Sequence, residues 1–338
     1  MEKRELPCDK GREVIIRADA VTDPKYGSPP QKRTIEQLIQ NGVVNIDKPP
    51  GPTSHEVVAW LKRIVGMPKA GHSGTLDPQV TGILPVALMN ATKIIPVLLG
   101  SAKEYITIMR LHKEQPDARI AQAVKEFQGK IYQRPPLRSS VKRRLRTRTI
   151  YYIDVLEIED RNVLLRVGCQ AGTYIRKLIH DIGEVLGCGA HMQELRRTRS
   201  GPFKEDKSLA TLHDLVDAYE FWKKDKMERP LRNILLPVEN AVPHVPKIII
   251  RDTAVDAICH GAHLAAPGIV RIETDIKPGM FVVIFTLKDE LVALARALKT
   301  TKQILETDHG LVVKTERVIM PLGTYPSFWK SKEVQAKE

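Results

Sequence analysis

Asp77 sits in a stretch rich in glycine and proline, Ala70 to Pro85, which reads AGHSGTLDPQVTGILP. Those residues specify a tightly shaped loop rather than a helix or strand. Pro78 has no backbone N–H and biases Asp77 towards extended geometry. The apolar run from Ile83 to Leu88, interrupted by Pro85, predicts a strand entering a core. A carboxylate is thereby held at the mouth of a sheet, where it can act as nucleophile, general base or charge stabiliser. An Asp-Pro dipeptide alone is an ordinary turn signal, so the weight falls on the whole stretch. Arg176 is the second candidate. It falls near the start of a helix predicted within GTYIRKLIHDIGEVLG, residues 172–187. A cation there opposes the helix dipole, and an anionic partner, Asp77 or a phosphate, accounts for it.

The elements that must position these groups are legible from periodicity and caps. Val43 to Asp47 reads as a strand, and KPPGPTS (48–54) as a rigid turn. Thr53 and Glu56 fit a capping box that opens a helix with Val57, Leu61 and Ile64 buried and Gly66 as its stop. Ala91 to Leu99 predicts a short helix, Tyr105 to Leu111 an alternating strand, and Ala118 to Phe127 an amphipathic helix. Tyr151–Ile158 and Val163–Cys169 predict two strands joined at Asp160-Arg161-Asn162. Ile175, Leu178, Ile179, Ile182 and Leu186 form the buried stripe of the 172–187 helix. Leu209 to Trp222 predicts a further helix, and the proline-rich but apolar segment 230–246 reads as a packed connector. The domain boundary is placed near Val245. Beyond it, a helix over Ala254–Cys259 and strands over Val270–Glu273, Met280–Leu287, Leu291–Lys299 and Leu311–Met320 predict a small barrel.

Composition narrows the class. A chain of 338 residues is long enough for two or three domains with real cores. No segment approaches the ~20 apolar residues of a membrane span, and the charged first residues carry no signal core, so a cytoplasmic protein is expected. Cys8, Cys169, Cys188 and Cys259 form no CxxC pair and read as scattered reduced thiols. A formal net charge of +13 suggests a polyanionic partner. Charge alone does not separate RNA from DNA or acidic lipid. Aromatic content of 5% argues against binding through many stacked bases. The most basic window is RPPLRSSVKRRLRTR (134–148), where five of seven residues from Lys142 to Arg148 are Lys or Arg. Such runs are usually solvated faces; between a Pro pair and a strand, this one reads as an exposed loop or hairpin able to close over an RNA backbone.

Three long motifs, in order, resemble those of the TruB-type pseudouridine synthases: KPPGPTSHEVV, GHSGTLDP with TGILPVAL, and GTYIRKLIHDIGEVLGCGAHMQELRRTRSGPF. KEYITIM resembles a further motif of that family, and RPPLRSSVKRRLRTR with LRRTRSGPFKED resembles its archaeal dyskerin-type branch. HGAHLAAPGIVRI with DIKPGMFVVIF is similar to a PUA domain. The resemblance implies an α+β fold: a pseudouridine-synthase catalytic domain with a central, mostly antiparallel sheet, plus a small β-barrel-like PUA domain. The division expected is an N-terminal extension packed on another domain (1–40), a catalytic domain (41–245), a PUA domain (246–330) and a tail (331–338).

For the site, the resemblance implies Asp77 as the catalytic aspartate, Arg176 as its pairing cation and Tyr105 against the target base. Tyr174 and Leu195 line the pocket. His72 is assigned to base flipping or loop order, and Lys48 to structural support. RNA contacts are expected from Arg138, Lys142, Arg143, Arg144 and Arg146, from a second patch of Arg196, Arg197 and Arg199, and from Gly261, Ala262 and Gly268. The implied reaction converts uridine to pseudouridine without metal, nucleotide or organic cofactor. The implied partners are an H/ACA guide RNA, an rRNA and also tRNA substrate, a small zinc-ribbon subunit, a Gly/Arg-rich-type subunit and a kink-turn-binding ribosomal-type protein. Two alternatives stand beside this: a stand-alone tRNA enzyme, and an RNA-binding scaffold with secondary catalysis. A PUA-bearing methyltransferase lacks support, because no Gly-rich cofactor loop follows a strand.

Overall fold

The computed structural model describes residues 5–135 and 144–327. Arg138, Lys142, Arg143 and the segment 331–338 lie outside the described residues. Two sheets organise the rest. The larger has eleven strands, with a main path of Leu209–Ala210, Gly42–Lys48, Thr81–Leu88, Ala190–Ser200, Lys103–Leu111, Asn162–Cys169, Arg146–Glu159 and Gly129–Gln133. It is antiparallel except where Leu209–Ala210 meets Gly42–Lys48 and where Thr81–Leu88 meets Ala190–Ser200. The second sheet has seven strands, in the order Val14–Ile16, Ile269–Glu273, Lys247–Ile250, Phe281–Phe285, Leu291–Ala297, Leu311–Val318 and Leu264–Ala265.

Caps and stripes fix the helices that pack on the larger sheet. The Ser54–Val65 helix begins at the Thr53/Glu56 capping box and ends at Gly66, which takes a left-handed conformation (φ 68°). Glycine adopts that geometry without a Cβ penalty. Val57 and Leu61 bury against Val44, Ile46 and Leu84. The Ile175–Leu186 helix presents its whole stripe to Met109, Val163, Leu165 and Val167. Burial of each such side chain contributes roughly 1.5–3 kcal/mol, so tertiary packing holds both helices on the sheet.

Five segments differ from the sequence expectation. The stretch Ala70 to Pro85, read as a loop, begins with the Ala70–His72 strand and runs into the Thr81–Leu88 strand with which it pairs, leaving only 73–80 as loop. Ala190–Ser200 is a strand of the sheet's centre, not recognised because its polar, arginine-rich sequence hides the alternation. The expected 91–99 helix divides into a 3₁₀ turn, Met89–Ile94, and a helix, Ile95–Gly100, with Pro96 in its first turn. The expected 209–222 helix starts at Leu212, because Thr211 and Asp214 form its capping box while Leu209–Ala210 pairs as a strand. The stretch read as a connector contributes the Glu228–Ile234 helix and the Leu235–Pro237 strand, which adds to Gly42–Lys48.

The two sheets are joined by a continuous apolar core. Val43, Ile83, Leu98, Val242 and Val245 pack with Val283, Phe285, Leu291, Leu294 and Ile319. The N-terminal segment ties both together. Val14–Ile16 adds an edge strand to Ile269–Glu273, and Leu6 packs against Ala102 and Tyr152. Among the described residues, no helix is long and apolar enough to cross a membrane.

Candidate active site

The loop bearing Asp77 is held from both sides. Before it, the Ser54 hydroxyl accepts from the Leu76 N–H at 2.9 Å and lies 3.2 Å from the Leu76 carbonyl. After it, the Lys48 ammonium donates to the carbonyls of Pro49, Pro78 and Val80 at 2.8, 2.8 and 3.0 Å. Lys48 is fully buried, so the loop's carbonyls find their donor inside the protein rather than in water. Burial, then the Arg197 charge, lowers the Lys48 pKa from its ordinary value. The Val80 N–H returns to the Asp77 carbonyl at 3.0 Å. Pinned at residues 76 and 78, the Asp77 side chain projects outward, 57% exposed.

Arg176 reaches that carboxylate from the first turn of the Ile175–Leu186 helix and forms an ion pair and hydrogen bond through Nη2 to Oδ2. The helix start is set by Gln133, itself buried. Its side-chain oxygen accepts from the Tyr174 N–H at 2.9 Å and its amide donates to the Tyr174 carbonyl at 3.1 Å. Tyr174 is thus fixed as the N-cap residue beside Arg176. Ser54 and Gln133 were not singled out from sequence. Ser54 follows the N-cap Thr53 and carries no separate signal, and Gln133 is a lone amide beside the basic window 134–148, whose charge draws the reading instead.

Tyr105 and Leu195 lie on neighbouring central strands and pack against the core under the Ile175–Leu186 helix. Tyr105 is partly buried, and burial raises its phenol pKa above the ordinary value while the Arg197 charge opposes that rise. His72 ends the Ala70–His72 strand. Its Nδ1 accepts from the Gly74 N–H at 3.2 Å, and its ring meets His55 edge-on at 5.0 Å. Burial foremost, then His55 and Arg197, pushes its pKa down to about 4, so the ring is neutral near pH 7 and orders the loop as an acceptor.

One member of the second arginine patch, Arg197, is corrected by the structure. Arg197 is 1% exposed, with Nε donating to the Ile83 carbonyl at 2.8 Å and Nη2 to the Gly74 carbonyl at 3.1 Å. It cannot face an RNA backbone, because neighbouring strand residues project to opposite sides and its own side is the core. Arg196, on the other side, is paired with Asp47 and Glu205, and Arg199 with Asp9. Of the basic window 134–148, Arg144 is exposed and Arg146 half-buried at the start of the Arg146–Glu159 strand. In the second sheet's domain, Gly261 (φ 91°) faces open space. Ala262 already uses its N–H with Ala257 and its carbonyl with Thr315, and the Gly268 carbonyl accepts from Arg251. Among the described residues, no group of three or more His, Cys, Asp or Glu is placed to hold a metal. The four cysteines carry no disulfide.

Comparison with known proteins matches this chain to four family descriptions. They are the DKCLD (NUC011) domain (3–58), the TruB family pseudouridylate synthase N-terminal domain (62–175), the tRNA pseudouridylate synthase B C-terminal domain (176–243) and the PUA domain (246–319). A probable tRNA pseudouridine synthase B of Methanopyrus kandleri is 62% identical over 97% of each chain. That of Thermococcus kodakarensis is 59% identical over 98% of each. Among solved structures, a chain of a Cbf5-Nop10-Gar1 complex is 60% identical with a TM-score of 0.93, covering 96% of this chain and 98% of that one. A chain of an H/ACA RNP bound to a substrate RNA containing 2′-deoxyuridine is 56% identical with a TM-score of 0.92, covering 96% and 100%.

Proposed function

The chain belongs to the TruB family of pseudouridine synthases, and from that premise we propose a mechanism in which Asp77 is the catalytic carboxylate. The protein is an RNA pseudouridine synthase: it isomerises uridine so that uracil is rejoined to the ribose through carbon instead of nitrogen. The observation that carries the assignment of Asp77 is its ion pair with Arg176, presented on a loop pinned by Ser54 and Lys48.

The target uridine must leave the helix stack before a carboxylate at the surface of the sheet can reach its sugar. Asp77 then assists cleavage of the glycosidic bond, by attack on the sugar or by taking its proton. Arg176 pairs with the carboxylate and aims it from the helix start. Tyr105 and Leu195 form the floor on which the base is held while it turns, and Tyr174 stands at the rim. Neutral His72 keeps the turn before Asp77 in shape. Arg144 and Arg146, with the basic residues between them and Arg134, would hold the strand that carries the target.

The shared architecture with a chain solved in a Cbf5-Nop10-Gar1 complex and in a substrate-bound H/ACA RNP supports an RNA-guided role. We assign the protein as the catalytic subunit of such a particle in the cytoplasm, acting on rRNA. Its companions would be a guide RNA, a small zinc-ribbon subunit of the Nop10 kind, a Gar1-type subunit and a kink-turn-binding ribosomal-type protein. The name borne by the Methanopyrus and Thermococcus relatives favours tRNA as a second substrate. The test is pseudouridine formation by the purified full chain on a tRNA transcript and on a target RNA paired to an H/ACA guide, with and without Nop10- and Gar1-type proteins. Guide-dependent turnover that requires those proteins is the expected result. Turnover confined to tRNA would replace the guided reading with a stand-alone enzyme.

A further inference from the structure

Arg197 is a buried cation that serves the backbone on both sides of Asp77. Its Nη2 donates to the carbonyl of Gly74, before Asp77, and its Nε to the carbonyl of Ile83, after it. Among the described residues, no carboxylate forms an ion pair with it. Taking a guanidinium out of water is unfavourable unless its donors are satisfied and its charge is compensated. Carbonyls satisfy donors but compensate charge only partly. What the guanidinium adds over an apolar side chain is a link between the two arms of the Asp77 loop.

The fork is planar and rigid, so two carbonyls held by it stand in a fixed relation. The strand that carries it, Ala190–Ser200, also carries Leu195. Leu195 and Arg197 stand opposite Thr107 and Tyr105 in unbroken register, so all four rise from one face of the sheet. Farther along the same strand, the Ser200 Oγ lies 3.2 Å from the Ser73 Oγ, and both serines are fully buried. Residues 73 and 74 are thus both tied to this strand. On the other flank Gly82 pairs with Arg197 in the parallel direction. At Gly82 (φ 99°) a Cβ would lie 2.3 Å from the Arg197 carbonyl. Glycine is therefore what lets the strand after Asp77 approach close enough for the fork to span both arms. Ser54 and Lys48 hold residues 76, 78 and 80 from other elements, so the Arg197 link is a separate one.

We infer that Arg197 is a positioning residue for the reaction, acting through the backbone of the Asp77 loop: its guanidinium holds the Gly74 and Ile83 carbonyls together and sets both against the strand that carries Leu195. The inference rests on the pseudouridine-synthase reading of this site. Asp77 sits on the span between those two carbonyls, so the fork fixes where the carboxylate stands relative to the face that holds the base. Without the fork the loop keeps its anchors at residues 76, 78 and 80 but loses its register to Leu195 and Tyr105. A misplacement of about 1 Å at a reacting group can cost roughly a hundredfold in rate.

The experiment compares Arg197→Met and Arg197→Lys in the full chain with a core variant away from the loop, Leu215→Ala. Single-turnover pseudouridine formation per folded molecule and RNA affinity are read for each. Arg197→Met should slow the step by about tenfold or more, with RNA affinity held within about twofold. Arg197→Lys keeps the charge but loses the fork, and should fall between, at least about threefold slow. Leu215→Ala should lose stability and keep its rate within about twofold. A wild-type rate in Arg197→Lys, or an equal loss in Leu215→Ala, overturns the inference. Failure of both Arg197 variants to fold would assign the residue to folding and overturn it too. Amide hydrogen exchange in the RNA-free chain gives a second readout. The Ser73 and Gly74 amides, which donate to the Pro85 carbonyl and to His72, should exchange about tenfold faster or more in Arg197→Lys. Amides of the Ile269–Glu273 strand should be unaltered, and equal acceleration there, or none at 73 and 74, overturns the link. This readout needs no turnover, so an inactive wild-type protein would count against the functional reading and leave the fate of Arg197 to the exchange rates.

Discussion

Asp77 and Arg176, 99 positions apart in the chain, form an ion pair in which each side chain keeps more than half of its surface in solvent. The charges meet because a loop entering one central strand and a helix start set by Gln133 converge on one spot. So exposed a pair contributes at most about 1 kcal/mol to folding. Its value is therefore orientation and charge at the carboxylate.

Arg176→Met should leave the thermal midpoint nearly unchanged while slowing single-turnover product formation by about 1.4 kcal/mol or more, a factor of ten. Parallel melting curves and rapid-quench rates on one preparation check this. A large fall in melting temperature with an unaltered rate would assign Arg176 to folding instead.

Lys48→Met should do the reverse first. It removes the donor shared by three carbonyls and leaves buried acceptors unsatisfied, each at roughly 1–3 kcal/mol. Denaturant unfolding should show a loss of several kcal/mol. The rate of any folded variant should also fall, because Pro78 is released. A fully stable Lys48→Met protein would contradict the pinning of the loop.

Gly82→Ala introduces a methyl 2.3 Å from the Arg197 carbonyl at a backbone angle that side chains rarely adopt. Strain and forced separation of two central strands should destabilise the fold by more than about 2 kcal/mol. The urea midpoint measures it; an unshifted midpoint would show that the strands part easily there.

Much of this arrangement could be read from sequence, for identifiable reasons. Thr53, Glu56 and Gly66 are local signals, and their helix forms where they place it. The stripe from Ile175 to Leu186 has a clean helical period, and the cation near its start did require an anion. The strand Ala190–Ser200 was missed because three of its arginines resemble a surface patch. Only pairing on both flanks reveals that Arg197 turns inward while Arg196 turns towards Asp47. Likewise, the apolar residues of 230–246 show that the segment packs, but not that Leu235–Pro237 extends a sheet whose partner strand lies nearly 200 residues earlier.

Stability should fall on mild acidification through two half-buried histidines. Burial, foremost, pushes the His244 pKa down to about 4, with its Nε2 at 2.8 Å from the Ser101 hydroxyl. Unfolded histidine takes a proton near pH 6.5, so this contribution is complete above that pH and is lost as pH falls towards 4. His72 acts in the same direction. Between pH 6.5 and 5 the His244 part is at most about 2 kcal/mol. A His244→Gln variant should lose less stability over that interval than the wild type; an identical loss would remove His244 from the effect.

Neutralising Lys142, Arg143 and Arg144 together should weaken RNA capture and lower the slope of log affinity against log salt by about two to three. Titrations at several salt concentrations read the slope directly. An unaltered slope would make that window a solvated face.

The most direct test of the central claim is Asp77→Asn, assayed for pseudouridine formation and RNA affinity on the substrate that the wild-type chain turns over. The account predicts no detectable product, with RNA affinity within about twofold of wild type, since one carboxylate is lost while the loop's anchors at Ser54 and Lys48 remain. Product formation at the wild-type rate would contradict it and move the chemistry to another residue.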